Sequence, residues 1–141
     1  MKIGYCYVVG DILHKGHLLH IKNCKSLCDT LVCGVLSDAA CMEKKPCPIM
    51  SFDERLDLIG SIKYVDMAVC QDEYSPLNNC KHIRPDILFE SASHTEMPAN
   101  NFMKSIGGKV FVMPYYAEQS STKIKEKIRE NINGGDNANV A

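Results

Sequence analysis

Residues 2–17 read KIGYCYVVGDILHKGH. The first half, Lys2–Val9, is a nearly unbroken apolar run with aromatic and β-branched side chains, the pattern of a strand covered on both faces. The second half, Gly10–His17, is a short polar turn. A helical pattern follows over His17–Cys28, with Leu18, Ile21, Cys24, Lys25 and Cys28 near one face. A buried strand that passes through a glycine-bearing turn into a helix is the opening of a parallel βα unit.

The rest of the chain repeats that alternation. Thr30–Leu36 reads as a second strand and the polar, Pro46- and Pro48-containing stretch 39–51 as a loop. Ser51 or Asp53 caps a helix running to about Ile62, with Glu54 completing a Ser-x-x-Glu box. Val65–Cys70 is a third strand, Pro76–His82 a short helix and Asp86–Glu90 a fourth strand. Met97–Ile106 is a helix ended by Gly107-Gly108, and Lys109–Met113 is a fifth strand. Ser120–Ile132 is a helix with Ile124, Ile128 and Ile132 at four-residue steps. The expectation is one α/β domain over residues 1–132: a Rossmann-like, doubly wound parallel sheet of about five strands with helices on both faces. Residues 133–141, polar and glycine-containing, read as a flexible tail.

Composition narrows the function classes. The chain has 141 residues, 45% hydrophobic and 23% charged, with a net charge of −1. That balance argues against nucleic-acid binding by bulk charge but leaves room for a local anion pocket. The first residues do not read as a secretory signal and no apolar stretch approaches the length of a membrane span, so a cytoplasmic protein is expected. The eight cysteines contain no CxxC and no zinc-type Cys/His spacing. Several lie within apolar segments, so buried, reduced thiols are expected.

In an open parallel sheet, ligands bind beyond the carboxyl ends of the strands. After the first strand stand His14, Gly16 and His17, without the spacing of either common glycine-rich phosphate loop. Gly16 allows close approach at a helix N-terminus, where free N–H groups and the dipole favour anions. A phosphate site, structural histidines and, less well supported by the three-residue spacing, a metal site all fit this stretch. After the fifth strand stand Ser120, Ser121 and Thr122, more hydroxyls than one helix cap needs. Both segments open at the same edge of a parallel sheet, which favours phosphate.

These motifs resemble the HxGH cytidylyltransferases of the nucleotidyltransferase superfamily, most of all the glycerol-3-phosphate cytidylyltransferase type. The resemblance covers about residues 2–130. It rests on Asp11 before H14-K-G-H17, Lys44 in the loop after strand two, Asp53-Glu54-Arg55, the stretch SIKYVD at 61–66 and SSTKIKEKI at 120–128. It implies transfer of CMP from CTP to a small phosphate- or phosphonate-bearing acceptor, with magnesium accompanying CTP and often a homodimer. ATP-dependent adenylyl transfer is the alternative, as is a catalytically weak nucleotide-binding protein. It further implies that His14 and His17 stabilise the transition state at the α-phosphate, and that Lys44 bridges acceptor phosphate and α-phosphate. The Val9-Gly10 backbone would lie against the nucleotide, with Asp11 ordering the turn. Arg55 and Lys63 would be basic residues near the site, and Ser120, Ser121 and Thr122 would cradle the β- and γ-phosphates. No protein side chain is assigned to a metal.

The chain departs from that pattern in four places. Gly10 replaces an aromatic. Pro46 stands where a second loop lysine is expected, with Lys45 as its stand-in. Ser91-Ala92-Ser93-His94 replaces a Gly-Asp-Asp-Trp segment, and Tyr115-Tyr116 replaces an arginine-threonine pair. Lys45 and Tyr115 are therefore candidates for an altered acceptor site.

Overall fold

The computed structural model describes residues 1–91, 97–114 and 120–133. Five strands, β1 (Ile3–Val8), β2 (Thr30–Leu36), β3 (Met67–Gln71), β4 (Ile87–Ser91) and β5 (Lys109–Met113), form one parallel sheet in the order β3-β2-β1-β4-β5. The helices are α1 (Lys15–Lys25), α2 (Asp38–Met42), α3 (Phe52–Gly60), α4 (Leu77–Ile83), α5 (Met97–Ser105) and α6 (Ser121–Asn133). The doubly wound α/β architecture expected from the alternation is the one observed.

The two faces of the sheet carry separate cores. On one face Cys6, Cys33, Val35 and Phe89 pack against Ile21 and Cys24 of α1 and Ile59 of α3. On the other, Tyr5, Val32 and Leu88 pack against Cys80 of α4 and Ala99 and Met103 of α5. Burial on both sides explains why the strands read as continuous apolar runs rather than as alternating ones. All eight cysteines are free thiols, and Cys6, Cys24, Cys33, Cys41 and Cys80 are buried, as small hydrophobes are. None of the described helices is long and apolar enough to cross a membrane.

The differences from expectation are local. α1 starts two residues earlier than its apolar pattern, because His14, an unusual cap residue, closes its first turn. The loop after β2 contains a short helix, α2, capped by the Ser37 hydroxyl on the Ala40 N–H at 3.1 Å. α6 has the expected periodicity yet buries no residue: Ile128 is 50% and Ile132 74% exposed. Tyr115, the Ala92–His94 replacement and most of the 133–141 tail lie outside the described residues.

Sheet order places the functional edge. The chain winds outward from β1 through β2 to β3, then returns across β1 to β4 and β5. The β1–β4 boundary is therefore the switch point, and its crevice opens at the strand carboxyl ends. The β1–β2 ladder pairs residues from Ile3–Thr30 to Val8–Val35, whereas the β1–β4 ladder is confined to Gly4–Ile87 and Tyr5–Leu88.

Candidate active site

The turn between β1 and α1 is closed by its two histidines. His14 is the N-cap, in extended conformation, and its Nδ1 accepts the Gly16 N–H at 2.9 Å. His17, three residues on, returns the favour: its Nδ1 accepts the His14 N–H at 3.3 Å. This is a capping box built from imidazoles in place of Ser and Glu. With both Nδ1 atoms accepting, each neutral ring carries its proton on Nε2 and keeps that N–H as a donor. The ring centroids are 4.1 Å apart. Burial lowers the His14 pKa; burial, then the neighbouring His14 and His20, pushes His17 down to about 4. Near neutral pH the pair is thus two uncharged donors.

Asp11 ties the surrounding walls together. Its carboxylate, 3% exposed, accepts the Ile49 and Met50 N–H groups at 3.0 Å each and the Lys125 ammonium at 2.8 Å. Burial alone would raise its pKa; Lys125 and the two N–H groups outweigh that and hold it below the ordinary carboxylate value. The Ser121 hydroxyl donates to the Asp11 carbonyl, with a longer contact to the Ile12 carbonyl at 3.3 Å. Gly10 has φ +77°, a conformation suited to glycine, and Ile12 has φ +49°, a strained one for a β-branched residue. The strained turn is held by bonds from two distant segments.

These contacts enclose a cleft of about 620 Å³ at the carboxyl edge of the sheet. His14 lines it from the cap of α1 and His17 from its first turn, Lys45 from the loop after α2, and Thr122, Lys125 and Arg129 from α6. The two motifs remote in sequence, HKGH and SST, do face one space. The three hydroxyls divide their work: Ser120 accepts the Lys123 N–H at 3.0 Å as helix cap, Ser121 pins α6 to the β1–α1 turn, and Thr122 is exposed in the cleft wall. Val9 lines the cleft as well, and Gly10 is buried beside Ile59.

Three of the basic residues named by the resemblance do not line the cleft. Arg55 is fully buried. It donates to the Val9 and Leu36 carbonyls at 2.6 and 2.7 Å and to the Met50 carbonyl at 3.2 Å, and pairs with Asp38 at 2.6 Å. It satisfies strand-end carbonyls under the cleft rather than a ligand inside it. Lys63 precedes β3 and so lies at the amino edge of the sheet, with its ammonium 5.2 Å from the Tyr64 ring. Lys44 is exposed and sits 5.5 Å from the Tyr74 ring, while its neighbour Lys45 lines the cleft.

Sequence reasoning missed Lys125 and Arg129. The signal was present, since Ser121, Lys125 and Arg129 recur at four-residue steps on one helix face. It also missed Tyr7, which lines the cleft, and its partner Glu90 at the end of β4.

A family model described as cytidylyltransferase-like matches residues 9–127. The "Bifunctional protein HldE" of Caulobacter sp. (strain K31) is 30% identical over 139 residues, 96% of this chain but 28% of that protein. The chain thus spans little more than a quarter of that curated relative. A lipopolysaccharide core biosynthesis protein from Thermoplasma volcanium, of known structure, is 27% identical with a TM-score of 0.72, covering 84% of this chain and 99% of that one. Pantothenate synthetase from Thermus thermophilus shares the fold at 13% identity and a TM-score of 0.59, covering 89% of this chain and 64% of its own. With the family model running from the β1–α1 turn into α6, and so over both histidines and the Ser120–Thr122 segment, the chain belongs to the cytidylyltransferase-like family.

Proposed function

We propose that the chain transfers a nucleotidyl group from a nucleoside triphosphate, CTP in the first reading, to a small phosphate-bearing acceptor, with pyrophosphate leaving. One observation carries this: two imidazole N–H donors and the N-terminal turn of α6 open into one cleft lined by Lys45, Lys125 and Arg129. In-line attack of one anion on another needs alignment and neutralisation more than proton transfer. His14 and His17 would donate to the oxygens of the α-phosphate as charge gathers there. Thr122 and the first turn of α6 would hold the outer phosphates, and Lys45 would draw the acceptor phosphate toward the α-phosphorus. The acceptor oxygen is already ionised near neutral pH, so no general base is required.

Among the described residues, no group of three or more His, Cys, Asp or Glu could hold a metal ion. The cleft cations suit phosphate oxygens, so an accompanying magnesium would ride on the triphosphate, where it would offset charge. Acceptors in keeping with this reading are phosphoalcohols, phosphocholine, phosphoethanolamine and small phosphonates. The similarity to a lipopolysaccharide core biosynthesis protein adds sugar phosphates. Adenylyl transfer is the second reading, because an HxGH stretch such as His14–His17 fits that transfer as well.

Pyrophosphate release, measured with each of the four nucleoside triphosphates against that acceptor panel with magnesium, tests the proposal. Turnover with CTP above the others supports the first reading, and turnover with ATP the second. No pyrophosphate with any pair, despite tight triphosphate binding, would leave a nucleotide-binding protein without transfer activity.

A further inference from the structure

Beside its cations, the cleft borders a buried carboxylate. β1 and β4 leave their ladder after Tyr5 and Leu88, although β1 runs on to Val8 and β4 to Ser91. Counting two residues along each strand sets Tyr7 opposite Glu90, across the mouth of the switch-point crevice. There the side chains bridge the gap: the Tyr7 hydroxyl donates to Glu90 Oε1. Glu90 is 1% exposed, and Tyr7 and the adjoining Ser91 line the cleft. A buried carboxylate is costly and is kept where hydrogen bonds hold it. Nothing in the transfer chemistry above uses it.

The bond also sets what the cleft offers beside Tyr7. A phenol whose proton is given to a carboxylate presents its oxygen as an acceptor, and polarisation through the bond strengthens it. Phosphate would be repelled here. A group that donates a hydrogen bond would be welcomed.

We propose that Tyr7 and Glu90 form a specificity element that reads a hydrogen-bond-donating group, a hydroxyl or an amine, on a part of the ligand other than its phosphates. The proposal rests on the nucleotidyl-transfer reading for its ligands. The same chemistry has three sources: the ribose hydroxyls, an exocyclic amine of the base, or a hydroxyl or amine of the acceptor.

The test uses Tyr7→Phe, which keeps the ring, and Glu90→Gln, which keeps an acceptor but removes the charge. Affinities are measured calorimetrically for inorganic tripolyphosphate, the four nucleoside triphosphates and their 2′-deoxy and 3′-deoxy forms. The KM of each active acceptor is read from pyrophosphate release. Loss of one hydrogen bond to a charged or polarised acceptor predicts a weakening of about ten- to a hundredfold. Tripolyphosphate, which offers neither a hydroxyl of a sugar nor an amine, is expected to bind wild type and variants alike.

A loss seen with ribonucleotides and absent from one deoxy series assigns the ribose. A loss confined to amine-bearing bases assigns the base, and a raised acceptor KM alone assigns the acceptor. Unchanged Tyr7→Phe values for every ligand would overturn the proposal, as would an equal loss for tripolyphosphate, which marks a general disturbance of the cleft. Should Glu90→Gln not fold, Tyr7→Phe alone decides. Failure of wild type to bind tripolyphosphate would instead sink the transfer reading, so the two are told apart.

Discussion

His14 does two jobs that one substitution can separate. Its Nδ1 caps α1 on the Gly16 N–H, and its Nε2–H is left as a donor to the cleft. Asparagine is among the best N-cap residues and accepts the same N–H, but its short amide does not reach where the imidazole edge does. His14→Asn should therefore keep the helix end and lose the donor. Its unfolding free energy should stay within about 0.5 kcal/mol of wild type, the difference between good caps. Turnover should fall roughly 10²–10³-fold, the cost of one preorganised transition-state donor. His14→Ala removes both and should lose about 1 kcal/mol of stability in addition. Urea unfolding and pyrophosphate release on the same three proteins give both numbers. If His14→Asn turned over at the wild-type rate while His14→Ala lost only stability, the imidazole would be a cap and nothing more.

Three further outcomes are expected. His17 has a folded pKa of about 4, against an ordinary value near 6.5 in the unfolded chain. Its contribution is thus intact above pH 6.5 and is lost as pH falls toward 4, by at most about 2 kcal/mol at pH 5. Urea unfolding of wild type and His17→Gln at pH 7.5 and 5 isolates it, and equal pH dependence in both would refute the assignment. Arg55→Lys should cost about 3 kcal/mol or more, by stripping strand-end carbonyls and Asp38 of their partner; unchanged melting with lost nucleotide binding would instead return Arg55 to the ligand. Lys45→Ala should slow turnover by about tenfold or more, as an electrostatic contact to the reacting groups would, with Lys44→Ala close to wild type; the reverse ranking would show that Lys44 swings into the cleft.

How much of this was legible depends on the kind of information each feature needs. β2 and β5 were read to the residue, because TLVCGVL lies between Asp29 and Ser37, and KVFVM between Gly107-Gly108 and Pro114. The convergence of HKGH and SST followed from parallel topology alone, since every strand in such a sheet delivers its loop to the same edge. Arg55 was placed near the ligand by the resemblance alone, since a sequence shows a charge but not the carbonyls it will meet. Those of Val9, Leu36 and Met50 come from three separate segments and converge only in the fold. The choice between Lys44 and Lys45 depends on which way two adjacent loop side chains face, which no periodicity encodes. Tyr7 and Glu90 escaped notice because each is unremarkable in its own strand, and only the sheet order makes them neighbours.

The last helix supplies one wall of the cleft and none of the core. α6 buries no side chain, and the described bonds that tie it down, from Ser121 and Lys125 to the Asp11 region, are polar. A segment attached in this way forms a cooperative unit of its own, able to open at far less cost than the sheet beneath it. Its amides should exchange with solvent long before those of β1 and β2, and at a rate that a bound triphosphate slows. The wall that would grip the phosphates is then also the part of the molecule whose order is set by whether phosphate is there.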